Sequence, residues 1–336
     1  MKIALCTSWM QKCGIYTYSR NLAEAIAHLG HEIYIVRLIR FGAKTPEYFQ
    51  MLAESFPKDA DVFVISHEYG LFQGLEGGFY GALKRLYPKT KLVTILHSVG
   101  VRWDVDRVIA STSDKVIVHN EFCAHRFGFP SVVIPHGTKP CEIPSVEEAK
   151  RSLGIDPRAP IVGYCGFISE YKGLEVLFEA MVKVPKVAVL IGGGWFAGPG
   201  TTYSMNLKQK SLAALPGRCQ WLGYVADEKL PTVYGACDII VYPSRFATES
   251  GALLMALSHG KAVLATNIPP FKEKEKLGAL MTFKDVKDLR RKIKRLLRDD
   301  ELRRSLEEGA RKYAEANCWS RIAELHKSLY EKQIVA

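Results

Sequence analysis

The chain has 336 residues, 48% of them hydrophobic and 24% charged, a balance that fits a folded protein with room for two domains and excludes extended disorder. Its formal charge of +11 is unevenly spread: residues 1–150 hold 17 Lys and Arg against 15 Asp and Glu, and residues 151–336 hold 29 against 20. The second half is therefore the expected home of an anion, and the absence of an aromatic-interleaved basic segment argues against nucleic acid.

In chain order, Met1–Cys6 reads as the start of a strand and not as a signal peptide. Lys2–Thr7 is strand-like, Tyr16–Leu29 repeats apolar residues at helical spacing up to Gly30, and Glu32–Val36 is the next strand. Further strands are expected at Val62–Ile65, Leu92–Leu96, Val116–Val118 and Val132–Ile134, with helices between them. The segment Ile134–Pro144, with its prolines and Gly137, reads as a linker, and Ser145 with Glu148 has the spacing of a helix capping box. A second alternation places strands at Ile161–Cys165, Val187–Ile191, Gln220–Leu222, Ile239–Tyr242 and Ala262–Ala265. Its helices include Leu174–Val182, Lys229–Tyr234, Gly251–Ser258 and Asp285–Leu297, and the tail Glu301–Lys332 is helical with a break near Asn317–Ser320. This βα alternation predicts two doubly wound parallel sheets in series. No segment reaches the length of apolar sequence that spans a membrane.

Ligands of such sheets bind beyond the carboxyl ends of the strands, so the strand-exit loops are where chemistry is expected. Gly14 and Ile15 follow the first strand and open a helix, where backbone N–H groups can approach an anion or a sugar. His67 and Glu68 follow the third strand and His97 the fourth; a histidine there can hydrogen-bond a sugar hydroxyl or face a phosphate. Gly166 follows a strand of the second half, and Lys172 stands one residue before Gly173 at a helix start, adding a full charge to the positive end of a helix dipole. The strand Ile239–Tyr242 leads through Pro243 and a polar loop to a helix opening at Ser250-Gly251, whose free N–H groups at Gly251 and Ala252 suit an anion. The eight cysteines, at 6, 13, 123, 141, 165, 219, 237 and 318, form no CxxC pair and no zinc spacing. They predict buried thiols in a reducing compartment, hence the cytoplasm. Asp104-Val105-Asp106 has the spacing of a metal-binding DxD, but it is expected in a loop before a helix at Arg107–Ala110 and is not taken as a metal site.

Several of these segments, in order, resemble the retaining glycosyltransferases of the GT-B fold that include glycogen synthase, sucrose synthase and bacterial mannosyltransferases. The resemblance is carried by Gly14-Ile15, Leu29-Gly30-His31-Glu32, His67–Phe72, Ile95-Leu96-His97 and Ile134–Gly137 in the amino half. In the carboxyl half it is carried by Gly166, Tyr171-Lys172-Gly173, Leu222–Val225 and Cys237–Ser244. It implies an α/β GT-B fold, two Rossmann-like domains facing a cleft. The amino-terminal, acceptor-side domain would take residues 1–140 plus 318–336, and the donor domain 145–317. It implies transfer of a sugar from a nucleoside-diphosphate sugar, retaining and metal-independent, with no cofactor beyond that substrate. In that reading Lys172, Gly166, Ser250, Gly251 and Ala252 hold the diphosphate, Tyr224 and Val225 lie by the base, and the acceptor lies near Gly14, Ile15, His67 and Glu68. The acceptor would be a glycan, a lipid-linked molecule or a small molecule. Two glutamates usual in such enzymes fall at Ala247 and Met255, and a usual arginine falls at Phe167. Glu249 is the expected partial stand-in and His97 its catalytic companion. The missing glutamates keep two alternatives open: a catalytically impaired binding module and another GT-B enzyme such as an epimerase. The basic stretch Lys287–Arg298 reads first as a solvated helix face over an apolar stripe of Leu289, Ile293 and Leu296-Leu297, with peripheral contact at the inner face of a membrane the minor alternative.

Overall fold

The computed structural model describes residues 1–11, 13–194 and 200–335, and the chain divides into two compact units, Met1–Gly137 with Asn317–Ala336, and Thr138–Ala316. The first unit runs β1 (Lys2–Thr7), α1 (Gly14–His28), β2 (Glu32–Arg37), α2 (Pro46–Glu54), β3 (Val62–His67), α3 (Tyr69–Phe72), α4 (Glu76–Leu86), β4 (Lys91–Leu96), α5 (Trp103–Thr112), β5 (Lys115–Val118), α6 (Glu121–Phe127) and β6 (Val132–Val133). Its sheet is parallel, in the order β2-β1-β3-β4-β5-β6. Alternate residues of β1 serve opposite faces, Ile3 and Leu5 one core and Ala4 and Cys6 the other.

The second unit runs α7 (Val146–Ser152), β7 (Ile161–Cys165), a 3₁₀ turn at Glu170–Lys172, α8 (Leu174–Val182), β8 (Ala188–Gly192), α9 (Gly200–Ala214), β9 (Cys219–Gly223), α10 (Leu230–Ala236), β10 (Ile239–Tyr242), α11 (Gly251–Ser258), β11 (Val263–Thr266), α12 (Pro269–Lys276), β12 (Met281–Phe283), α13 (Val286–Leu296) and α14 (Asp300–Ala316). Its parallel sheet has the order β12-β11-β10-β7-β8-β9 around one continuous core. Chain direction across the sheet reverses between β1 and β3 in the first unit and between β7 and β10 in the second. Those are the switch points where ligands of doubly wound sheets bind.

Local chemistry sets the element ends. Ser145 and Glu148 form a reciprocal capping box at α7, Thr45 caps α2 ahead of Pro46, and Asp285 caps α13. The last helix, α15 (Trp319–Val335), belongs to the first unit and packs on α1. It places Trp319, Ile322, Ala323 and Tyr330 in the same core as Tyr18, Leu22 and Ile26. Asp104 and Asp106, expected in a loop, lie inside α5 instead, because that helix starts at Trp103. No described helix is long and apolar enough to cross a membrane.

Candidate functional site

At the switch point of the second unit, the exits of β7 and β10 and the start of α11 converge. Gly166 leaves β7 at φ 154°, and a Cβ there would come 2.9 Å from the Ala252 methyl, so only glycine lets this exit reach the first turn of α11. Gly173 takes φ 62°, and a Cβ on it would stand 2.4 Å from the Pro243 carbonyl. The Arg245 N–H donates to the Tyr171 carbonyl at 2.8 Å, closing the 3₁₀ turn onto the β10 exit. Below them the Tyr242 hydroxyl donates to the Ala252 carbonyl at 2.6 Å, with the Cys165 carbonyl at 3.0 Å, tying both strands to α11.

This scaffold holds Lys172 only 8% exposed, its ammonium 4.7 Å from the centre of the Tyr171 ring. No carboxylate among the described residues pairs with it. Ser250 caps α11 by accepting from the Leu253 N–H at 3.3 Å, and Gly251 is exposed with open space at its Cβ position. The first-turn N–H groups of Gly251 and Ala252 have no intrahelical acceptor. At the exit of β10 the Ser244 hydroxyl is buried and has no hydrogen-bond partner among the described residues; sequence reasoning passed over it, although its place just past Pro243 at a strand exit was a signal. Tyr224, exposed, and Val225, half-buried, follow β9 against the exit of β8, where Gly192 and Gly194 leave room for them.

Glu249 is not open to a ligand. Its side chain is 6% exposed and pairs at 2.8 Å with Lys274, itself 3% exposed, while its other oxygen accepts the Ser250 N–H at 2.8 Å. Burial works against the Lys274 charge, but Glu249, with Tyr313 and Glu273, outweighs it and holds the ammonium above the ordinary lysine range. The expectation that Glu249 stands in at the donor sugar is therefore corrected: a carboxylate spent on a buried cation and a backbone donor has no face left for a sugar. Ala247 is buried in the core and Met255 packs against it, so neither position offers an acceptor.

In the first unit, His97 leaves β4 half-buried, and its Nε2 lies 2.7 Å from the Ser66 hydroxyl. Ser66 continues to Ser19 at 3.2 Å and Ser19 to Thr7 at 2.7 Å, a hydroxyl chain running back under β1. Burial, with His119 and His136 nearby, keeps the His97 imidazole well below its usual pKa and hence neutral near pH 7. Tyr18 is the hub, with ring centres 4.7, 5.1 and 4.9 Å from those of His97, His119 and His136. His119 was missed in the sequence, although it too follows a strand. His67 proves unavailable: it is fully buried, stacked on Phe72 and 3.2 Å from the Glu76 carboxylate. The apolar pocket around it takes the whole ring, which corrects its assignment to the acceptor side. Glu68 is half-buried and accepts from the Ser98 hydroxyl at 2.6 Å. Gly14 is the exposed first residue of α1 and Ile15 packs on the core, while Lys12 of the same loop lies outside the described residues. Asp106 is buried, accepting from the Tyr69 hydroxyl and the Gly100 N–H, and Asp104 is exposed beside Arg102 at 2.6 Å.

Residues 145–313 match the family described as "Glycosyl transferases group 1", half of the chain. The chain belongs to the group 1 glycosyl transferases. Similar members of that kind include D-inositol 3-phosphate glycosyltransferase of Corynebacterium jeikeium, 30% identical over 56% of this chain and 47% of that protein. Another is the lipopolysaccharide core biosynthesis mannosyltransferase LpsB of Rhizobium meliloti, 29% identical over 52% of each chain. The chain thus spans about half the length of these curated relatives. Among solved structures, sucrose-phosphate synthase of Thermosynechococcus elongatus superimposes over 100% of this chain and 99% of its own, with TM-score 0.85 at 19% identity. Anabaena HepE in complex with UDP-glucose does so over 99% and 100%, with TM-score 0.82 at 15% identity. The group 1 chain has the GT-B fold, two parallel six-stranded sheets with interleaved helices.

Proposed function

We propose that the protein transfers a sugar from a nucleoside-diphosphate sugar to an acceptor hydroxyl. The observation that carries this is Lys172: a lysine only 8% exposed that pairs with no carboxylate among the described residues, in the turn that packs on the β10 exit leading to α11. Lys172 has no counter-charge among the described residues, and a diphosphate seated there supplies one. Lys172, with the N–H groups of Gly251 and Ala252, would hold the diphosphate over Gly166 and stabilise it as a leaving group without a metal ion; the Ser250 N–H, expected among them, is already given to the Glu249 carboxylate. The buried Ser244 hydroxyl gives a further donor. Tyr224 and Val225 would flank the base. That HepE was solved with UDP-glucose makes a uridine nucleotide the first to try.

On the first unit, the acceptor is assigned to the loops carrying Gly14, Ile15 and Glu68, with neutral His97 hydrogen-bonding a reacting sugar. Retention of configuration and a cytoplasmic setting follow from the resemblance and from the unpaired thiols. The exposed cations of α13, Lys287, Arg291, Lys294 and Arg295, suit an anionic membrane carrying a lipid-linked acceptor. A second reading, donor binding without transfer, is favoured by one observation: the carboxylates at the site are either replaced, by Ala247 and Met255, or tied up, as Glu249. A panel of nucleotide sugars separates the two when read both by thermal shift and by release of nucleoside diphosphate. Shift with release supports transfer; shift without release supports the binding module; neither removes the donor assignment.

A further inference from the structure

We propose that Lys274 is a positioning residue of the donor site: it neutralises Glu249 so that the opening of α11 stays attractive to a diphosphate. The inference rests on the donor-site reading above. Glu249 immediately precedes the Ser250 cap and accepts the Ser250 N–H at 2.8 Å. A carboxylate there occupies the positive end of the helix dipole, the place an anionic ligand would take. Uncompensated, it would repel the phosphates that the rest of the loop is shaped to receive. Lys274 arrives from α12, a separate element, and meets the other carboxylate oxygen at 2.8 Å. Both side chains are shielded from solvent, 3% and 6% exposed, so water does little to damp the charge of either. Lys274 is further steadied over the Tyr313 ring of α14, 5.9 Å from its centre. The pair is neutral overall, which leaves Lys172 and the helix opening to set the sign of the site.

Opposite effects of the two single variants would distinguish this role from a purely structural one. Lys274→Met leaves a bare carboxylate at the helix opening and is expected to weaken UDP binding on the order of tenfold; Glu249→Gln leaves a bare cation and is expected to strengthen it by a similar factor. The double variant is expected to return to within about twofold of the wild type. Calorimetry with UDP, and with uridine as the uncharged control, reads all four proteins. A pair that only braces the loop would weaken binding in both single variants, and a shift equal for uridine and UDP would also overturn the proposal. Should either single variant fail to fold, the charge-swapped Glu249→Lys/Lys274→Glu protein keeps the pair and puts the cation next to the helix opening. It is expected to bind UDP more tightly than wild type; equal or weaker binding overturns the inference. A wild type that binds neither UDP nor inorganic pyrophosphate removes the donor-site reading and this inference with it, whereas wild-type binding with unsigned variants removes the inference alone.

Discussion

At the scale of one residue, Lys172 is 8% exposed and pairs with no carboxylate among the described residues, so its replacement tests ligand binding more than folding. Replacing it by methionine breaks no ion pair among the described residues, so the ligand-free protein should stay close to wild type in denaturant unfolding. The same change should weaken donor binding by more than about 1 kcal/mol, because a charged contact to phosphate is worth about 1.5–3 kcal/mol. Unchanged affinity by calorimetry would take Lys172 out of the site. Gly173 makes the complementary case. Its φ of 62° and the nearby Pro243 carbonyl leave no room for a side chain, so Gly173→Ala should displace the turn that carries Lys172 and lower donor affinity even though no charge is lost. Lys172 and Gly173 were legible in the sequence from their place at a helix start. The fate of Glu249 was not, because its partner Lys274 lies on another helix, 25 positions away.

At the scale of elements, α15 is the piece that completes the first unit. Trp319 lies with its ring centre 5.1 Å from Tyr18 and 5.6 Å from His136. Trp319→Ala should cost about 3–5 kcal/mol of first-unit stability, seen as a lower denaturant midpoint; deletion of residues 318–336 should expose apolar surface and bind hydrophobic dye. Farther along α15, His326 is fully buried, with its ring nitrogens 3.3 Å from the Tyr18 hydroxyl and 2.9 Å from that of Tyr330. Burial, with a smaller push from His119, lowers its pKa to about 3. In the unfolded chain the same histidine takes a proton near pH 6.5. Below that pH the unfolded state binds the extra proton, so stability is whole above about pH 6.5 and falls as the pH drops towards 3. Each such histidine contributes a slope of at most about 1.4 kcal/mol per pH unit in that window. Thermal midpoints at pH 7.5 and 5 should differ less in His326→Phe than in wild type, and an equal difference would show that the ring titrates normally.

Taken whole, the molecule carries most of its excess positive charge in the second half of the sequence, the half that holds the proposed donor loops. Charge of that sign can stabilise a departing diphosphate directly. Transfer should therefore persist in excess EDTA. Complete loss on chelation, restored by magnesium or manganese, would point back to Asp104 and Asp106, although Asp106 would first have to give up Tyr69 and Gly100. Donor binding should also weaken as salt rises, since exposed charge is screened within about 8 Å at physiological ionic strength.

The sequence alone determined most of the strands and helices, though not β12 or α12, together with the two doubly wound sheets and the loops in which ligands are to be sought. Those features rest on periodicity, caps and glycines, which act over a few neighbouring residues: Leu174–Val182 and Gly251–Ser258 fall where their apolar spacing and flanking residues put them. What only the tertiary structure decided is which polar side chains remain available. His67 and His97 look alike in sequence, each closing a strand. The fold stacks one on Phe72 against Glu76 and leaves the other half-buried at the end of a hydroxyl chain from Thr7. Glu249 is set aside in the same way by Lys274, and His119 and His136 are brought to Tyr18 from distant positions. The physical reason is that burial and pairing depend on elements far apart in the chain, and a side chain's chemistry follows from what covers it.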